Sequence, residues 1–223
     1  MALAKVKEDA TLARVAASRV PEGATWNSEA RKKALSRVTS MGLPVKRDEY
    51  WKYTDPQSLV AVDVSEAALF HNDEGPLFDD IDRVKIVFVD GAFDEDRSTD
   101  LAADGVVIER LADIAKQDIH WAKDLYGVLE ERGQTPVERP FAALNTAIAT
   151  DGVVIRATDK VSKPINLVYL HNDTTSDATL HNLVKVEAGA EVTLLETGPA
   201  AARFSKCLEV DVADGGTFHH VRA

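Results

Sequence analysis

The apolar positions switch between a helical and a strand period along the chain, and the switches predict its elements. Leu3, Val6, Ala10, Ala13 and Ala17 recur at three- and four-residue steps with charge between them, and Pro21 follows, so residues 3–19 are expected to form an amphipathic helix. A second helix has clearer ends: Asn27 or Ser28 can cap it, Ala30, Ala34, Val38 and Met41 make its stripe, and Gly42 with Pro44 stops it. The β-branched run of residues 84–89, closed by Asp90 and Gly91, predicts a strand, and residues 105–108 predict another. Helical spacing returns from Leu111 to Glu131, carried by Leu111, Ile114, Ala115, Ala122, Leu125 and Leu129 and closed by Gly133 and Pro136. A shorter helix starts at Pro140, with Phe141, Leu144 and Ile148 on one face and Gly152 after it.

From residue 152 onward strands and turns alternate, through residues 152–156, 165–169 and 179–186, and lead into a pattern written twice. Residues 184–196 lie over residues 210–222 at an offset of 26, with Val184 on Val210, Val186 on Val212, Gly189 on Gly215 and Val192 on Phe218. Each copy is an alternating strand, a bend at glycine and a second alternating strand, too little to bury an apolar face alone. Stacked copies would bury it, with aligned residues as neighbours at about 4.8 Å. Lys185 is then expected beside Asp211, and Glu196 beside Arg222. The expected fold is mainly β with a helical N-terminal region: a parallel β-helix, or solenoid, of which the chain holds only the first part. Residues 1–60 would be the helical region, 61–150 a mixed α/β lead-in, and 151–223 the first coils, incomplete at the C-terminus.

Composition narrows the function classes. The 223 residues are 45% hydrophobic, enough for a sizeable core, and the net charge of −11 without a Lys/Arg cluster argues against nucleic acid as a partner. Charge interrupts the first residues and no stretch approaches 18 apolar residues, so neither a signal peptide nor a membrane span is expected. A single cysteine, Cys207, fits a reducing compartment, and a cytoplasmic location is expected.

Gly42-Leu-Pro44, Arg47, Glu49 and Trp51-Lys-Tyr-Thr54 form a segment dense in aromatics, followed in order by Phe88-Val-Asp-Gly91, Phe141-Ala-Ala-Leu-Asn145 with Asp151-Gly152, and Glu187-Ala-Gly-Ala190 with Leu195-Glu196. These stretches resemble the N-terminal portion of the SufB/SufD family of iron-sulfur cluster assembly scaffold proteins, its SufD branch in particular, over residues 25–223. The resemblance implies an N-terminal helical region, a right-handed parallel β-helix and a C-terminal helical region. It also implies a cytosolic SUF complex with a SufB-like scaffold and a SufC-like ATPase, and an iron-sulfur cluster assembled transiently in that complex, with none bound by this chain alone. The family's last coils and C-terminal helices, where SufC docks, are absent, so no functional residue carries over from them.

The residues themselves offer few chemical candidates. His181 aligns with Cys207 at the offset of 26, one coil apart, and the two are weak candidates for a shared metal ion; no third ligand aligns with them, and a packed cysteine beside a hydrogen-bonded histidine is the plainer expectation. His219 and His220 point to opposite faces of a strand and cannot chelate together, with His220 continuing the inward line of Leu194. His71, His120 and His171 have no clear partner at metal-ligand spacing, and loop or helix-surface positions are expected for them. Trp51 and Tyr53 are expected to cover apolar surface beside the helical region, or to form a docking patch. Nucleotide-binding loops and nucleophile motifs are absent. Glu187, Glu191, Glu209 and Asp211 on a β-helix face are the basis of an alternative, a carbohydrate-active enzyme with paired carboxylates, against the bland expectation of a solvated charged face. The expected role is non-catalytic, with no catalytic or cofactor-binding residue. An uncapped last coil, with Val210, Val212 and Phe218 at its rim, also predicts self-association through that end.

Overall fold

The computed structural model describes residues 4–69 and 76–223. Helix α1 (Lys5–Ala17) and helix α2 (Thr25–Met41) open the chain. Helix α2 is held by its Ala34, Val38 and Met41 stripe, which packs on helix α6 (Pro140–Ile148) through Ala143, Leu144, Ala147 and Ile148. Gly42, at φ 69°, ends it, and the N-cap is Ala24 instead of Asn27 or Ser28. Asn27 lies inside the helix and accepts a 2.7 Å hydrogen bond from Arg31.

Helix α1 turns its polar side inward. Val6 is 75% exposed, whereas Thr11 and Arg14 are buried, and Thr11 Oγ1 accepts the Leu43 N–H at 2.8 Å. The expected apolar stripe therefore faces solvent, because the surface beneath α1 offers hydrogen-bonding groups; Leu3 lies outside the described residues.

The strands form two sheets. The first has the order β2-β1-β5-β7-β9, from β1 (Val84–Val89), β2 (Ala92–Asp94), β5 (Ile165–Leu170), β7 (Glu191–Thr197) and β9 (Thr217–Arg222). The second has the order β3-β4-β6-β8, from β3 (Val106–Arg110), β4 (Val153–Ala157), β6 (Asp177–Val186) and β8 (Arg203–Val212). Ile86, Phe88, Ile165, Leu167 and Leu194 of the first sheet meet Ile155, Leu180, Val184 and Val186 of the second in the main core. The outer face of the second sheet is covered by the segment between β3 and β4, where Leu111, Ile114, Leu125 and Tyr126 pack on Val154 and Leu183.

This architecture corrects the expected fold. The protein is mixed α/β, with 28% of the described residues in helix and 29% in strand and with two mixed parallel and antiparallel sheets; it is not mainly β, and no right-handed parallel β-helix or closed solenoid is present among the described residues. Two features of the chain account for the difference. The Asp90-Gly91 turn, both residues at positive φ, folds β2 back on β1 as a tight hairpin, and β3 likewise runs antiparallel to β4. Helices, not further strands, cover the outer face of the second sheet.

The register read from the repeat is nevertheless the register of the strands. Lys185 sits opposite Asp211 and Glu196 opposite Arg222 in parallel ladders. Their ionic partners differ from that expectation. Lys185 lies 3.7 Å from Glu187, and the buried Glu196 takes Lys206 from the second sheet and His220 from the adjacent strand β9. Neighbouring Cα positions fix the ladder, but a side chain chooses any opposite charge within reach, and burial favours the desolvated partner.

The long helix expected over residues 111–131 is three short pieces: α4 (Leu111–Ile114), a 3-10 turn (Trp121–Asp124) and α5 (Val128–Arg132). Gly127, at φ 74°, interrupts the helical path just before α5. Gly189, at φ 74° between β6 and β7, has open space where a Cβ would stand. Gly189→Ala is therefore expected to cost only the left-handed backbone penalty of about 1–2 kcal/mol, read as a shift in the urea midpoint.

Candidate functional site

Strand alternation sends one set of side chains of β6 and β8 into the main core and the other set out beneath the helices. His181 of β6 is on the outward set, with Cys207 as its register partner on β8 and Glu209 two residues further along. The expected proximity of His181 and Cys207 is thus present. The third member, Glu209, is buried here, whereas the pattern of acids predicts a charged surface for it.

His181 is fully buried against the Tyr126 ring, with centroids 4.5 Å apart, and its Nε2 lies 2.6 Å from Glu209 Oε1. Glu209, only 2% exposed, also accepts the backbone N–H groups of Gly127 at 2.5 Å, Leu129 at 2.7 Å and Glu130 at 2.9 Å. This carboxylate therefore fills the first turn of α5 and ties the helical cover to the sheet. Tyr126 donates its hydroxyl to Thr146 O at 2.6 Å, and Arg31 stands over its ring at 5.6 Å. Behind α5, the buried Glu130 side chain is paired with Arg37 and accepts from Gln134 and from Thr146.

The electrostatics follow from burial and pairing. Burial alone pushes the His181 imidazolium down, but the Cys207 sulfur and the Glu209 carboxylate overcome it and raise the pKa to about 9. Burial pushes Glu209 up, and the hydrogen bond and charge of His181, with the α5 backbone N–H groups, hold it below the usual carboxylate range. The pair is accordingly an imidazolium-carboxylate ion pair at neutral pH. Desolvation comes first in raising the Tyr126 hydroxyl, which stays neutral as a donor.

As a metal site the arrangement is short of ligands. Glu209 occupies His181 Nε2, and both Glu209 oxygens take backbone donors. Only His181 Nδ1, which makes no hydrogen bond among the described residues, and the half-buried Cys207 thiol remain. Among the described residues no group of three His, Cys, Asp or Glu side chains can hold a metal ion. The chemistry open to the cluster is that of a buried ion pair.

The other sequence candidates are dispersed. Glu187 pairs with Arg156 at 2.8 Å, Glu191 with Lys160 at 3.3 Å and Glu209 with His181 at 2.6 Å, so three of the four acids are engaged with separate basic partners, while Asp211 is exposed. His220 reaches within 3.5 Å of Glu196, as its inward register implied, while His219 is exposed. His120 is held 2.9 Å from Glu109 and caps the 3-10 turn; His171 is half-buried with its Nε2 2.9 Å from Asp173 O, and His71 lies outside the described residues. Trp51 packs edge-on against Phe141 at 5.3 Å, whereas Tyr53 is 90% exposed. The spacing of Cys207 and Glu209, two apart on one strand face, was the signal for Glu209; Tyr126 and Glu130 come from a separate segment and carried none.

Among the described residues no helix is long and apolar enough to cross a membrane. Residues 22–167 match the family described as SufBD protein N-terminal region. The chain is also similar to an iron-sulfur cluster assembly SufBD family protein of Synechocystis sp., 30% identical over 179 residues that cover 75% of this chain and 38% of that relative. It thus spans well under half the length of the curated relative it matches.

Proposed function

The chain belongs to the SufBD family, and from that premise we propose that it is part of a non-catalytic scaffold subunit of SUF iron-sulfur cluster assembly. It acts in the cytoplasm, in the SufD position, with a SufB-like scaffold and a SufC-like ATPase as partners and the cluster as cargo. The observation that carries this reading is the family match over residues 22–167. The SufD position is supported by the segment from Gly42 to Thr54. The non-catalytic role fits a buried polar cluster whose groups are committed to one another.

The test is copurification of the tagged full-length gene product from its own cells. Recovery of a SufB-like protein and a SufC-like ATPase in fixed ratio is the expected result; recovery of the tagged protein without them removes the assignment. The chain itself is expected to bind no stoichiometric iron and sulfide after anaerobic reconstitution. A loading lost in Cys207→Ser and His181→Ala would overturn that expectation.

The edge strands β8 and β9 offer a route to self-association, since Val212 and Val221 on them are 43% and 46% exposed. Light scattering against concentration, with hydrogen exchange over residues 205–223, is expected to show association that protects this edge. A concentration-independent monomer excludes it.

A further inference from the structure

We propose that the cavity bounded by α1, α3 (Gln57–Val60), α6 and the start of β6 and β8 is a binding site for a short-chain monocarboxylate. Two arginines line it, Arg14 from α1 and Arg203 from β8, both nearly buried, and they share a single carboxylate, Asp177. Arg203 occupies both oxygens of Asp177, at 3.0 Å through Nε and again through Nη2, and gives Nη1 to Ala61 O at 2.6 Å. Arg14 is left with one long contact to Asp177 at 3.3 Å and one to Ser18 at 3.4 Å. Its Nε–H is buried and has no acceptor among the described residues.

Among the described residues, two guanidinium charges against one carboxylate leave one positive charge uncompensated in a desolvated place. Burial first, and then the neighbouring charge of Arg203, hold the Arg14 guanidinium below its ordinary value, in keeping with a missing anion. On the same wall Asn145 Oδ1 is buried without a donor among the described residues, while the amide Nδ2 serves Leu180 O at 3.1 Å and Ser205 Oγ at 3.0 Å. A trapped water can satisfy Asn145, but it brings no charge to Arg14.

The shape selects among anions. The cavity measures about 100 Å³, and its remaining walls are largely apolar, from Leu59, Phe141, Leu144, Ile148 and Phe204. An apolar cavity of about 150 Å³ admits a benzene ring, so this one takes a carboxylate on a chain of about two or three carbons. A planar carboxylate matches the arginine fork, and the single excess charge calls for a monoanion. The overall charge of −11 disfavours polyanions further.

Calorimetric titration of the full chain with butyrate, the uncharged isostere butyramide and inorganic phosphate is the test. Butyrate is expected to bind saturably, with butyramide and phosphate each at least about tenfold weaker. Arg14→Met keeps the apolar stem and is expected to weaken butyrate by about tenfold or more. Because that change can also loosen α1, Leu59→Trp is the second variant: it removes no hydrogen-bonding group of either arginine and fills the cavity, and should abolish binding with the melting temperature kept. No saturable butyrate signal, equal affinity for butyramide or phosphate, or butyrate binding unchanged in both variants overturns the proposal.

Discussion

Glu209→Ala is expected to lower the unfolding free energy by about 3–5 kcal/mol, the cost of breaking one side of a buried ion pair. The substitution leaves His181 fully buried without its carboxylate, and it orphans the N–H groups of Gly127, Leu129 and Glu130 at the start of α5. Each unsatisfied buried donor costs about 1–3 kcal/mol when no water replaces its acceptor, so the total is limited by how much water the vacated space admits. For a chain of this length the loss corresponds to a fall in melting temperature of roughly 6–20 °C. Glu191→Ala, which removes an exposed pair with Lys160, is the control and should stay within about 1 kcal/mol. Urea unfolding of both variants measures the difference. A Glu209 variant no less stable than the Glu191 variant would mean that α5 is not tied to the sheet through this carboxylate.

The second large effect is on pH dependence. His181 has a folded pKa raised to about 9 against an ordinary value of 6.5. A group raised on folding contributes stability that is fully present below its unfolded pKa and is lost as pH rises through the folded one. The chain is therefore expected to lose about 3 kcal/mol between pH 6.5 and pH 9. Glu209, lowered on folding, gives the opposite flank: its contribution is present above the ordinary carboxylate range and fades as pH falls through the folded value. Both flanks report one interaction and are not summed. Urea midpoints across pH 6 to about 9.5 in the parent chain and in His181→Gln provide the measurement. The parent should fall steeply and the variant should remain nearly flat; parallel curves would remove His181 as the titrating group. In the proposed scaffold the same pair sets how firmly the helical cover sits on the second sheet.

Local pattern carried some of this protein. Val84–Val89, Pro140–Ile148 and the later strands lie where period and turn residues put them, because each is bounded by residues whose backbone preferences act within a few positions. The offset of 26 is likewise an ordered property of the chain: a one-residue slip would turn every inward valine outward, so the pattern admits one register. The resemblance borne by Gly42–Thr54 and later stretches led to the SufBD family by the same local route. What local pattern could not fix is which surface each element meets. The apolar residues of α1 face solvent because Leu43 N–H and Asp177 lie beneath it, and those groups come from 32 and 163 residues further along. The run from Leu111 to Leu129 has a helical period yet breaks after Ile114 and again at Gly127, where the backbone turns its N–H group toward Glu209, a residue 82 positions away. The antiparallel β2 and β3 and the helical cover also decided between a solenoid and two mixed sheets. Sequence by itself determined several of the elements, the register of the repeated strands and the family; tertiary structure decided the breaking of the 111–131 run, the sheet architecture and the meeting of His181, Glu209 and Tyr126. Hydrophobic periodicity is written into neighbouring residues, whereas the partner of a buried charge is set by distance in space, and the chain records that distance nowhere along its length.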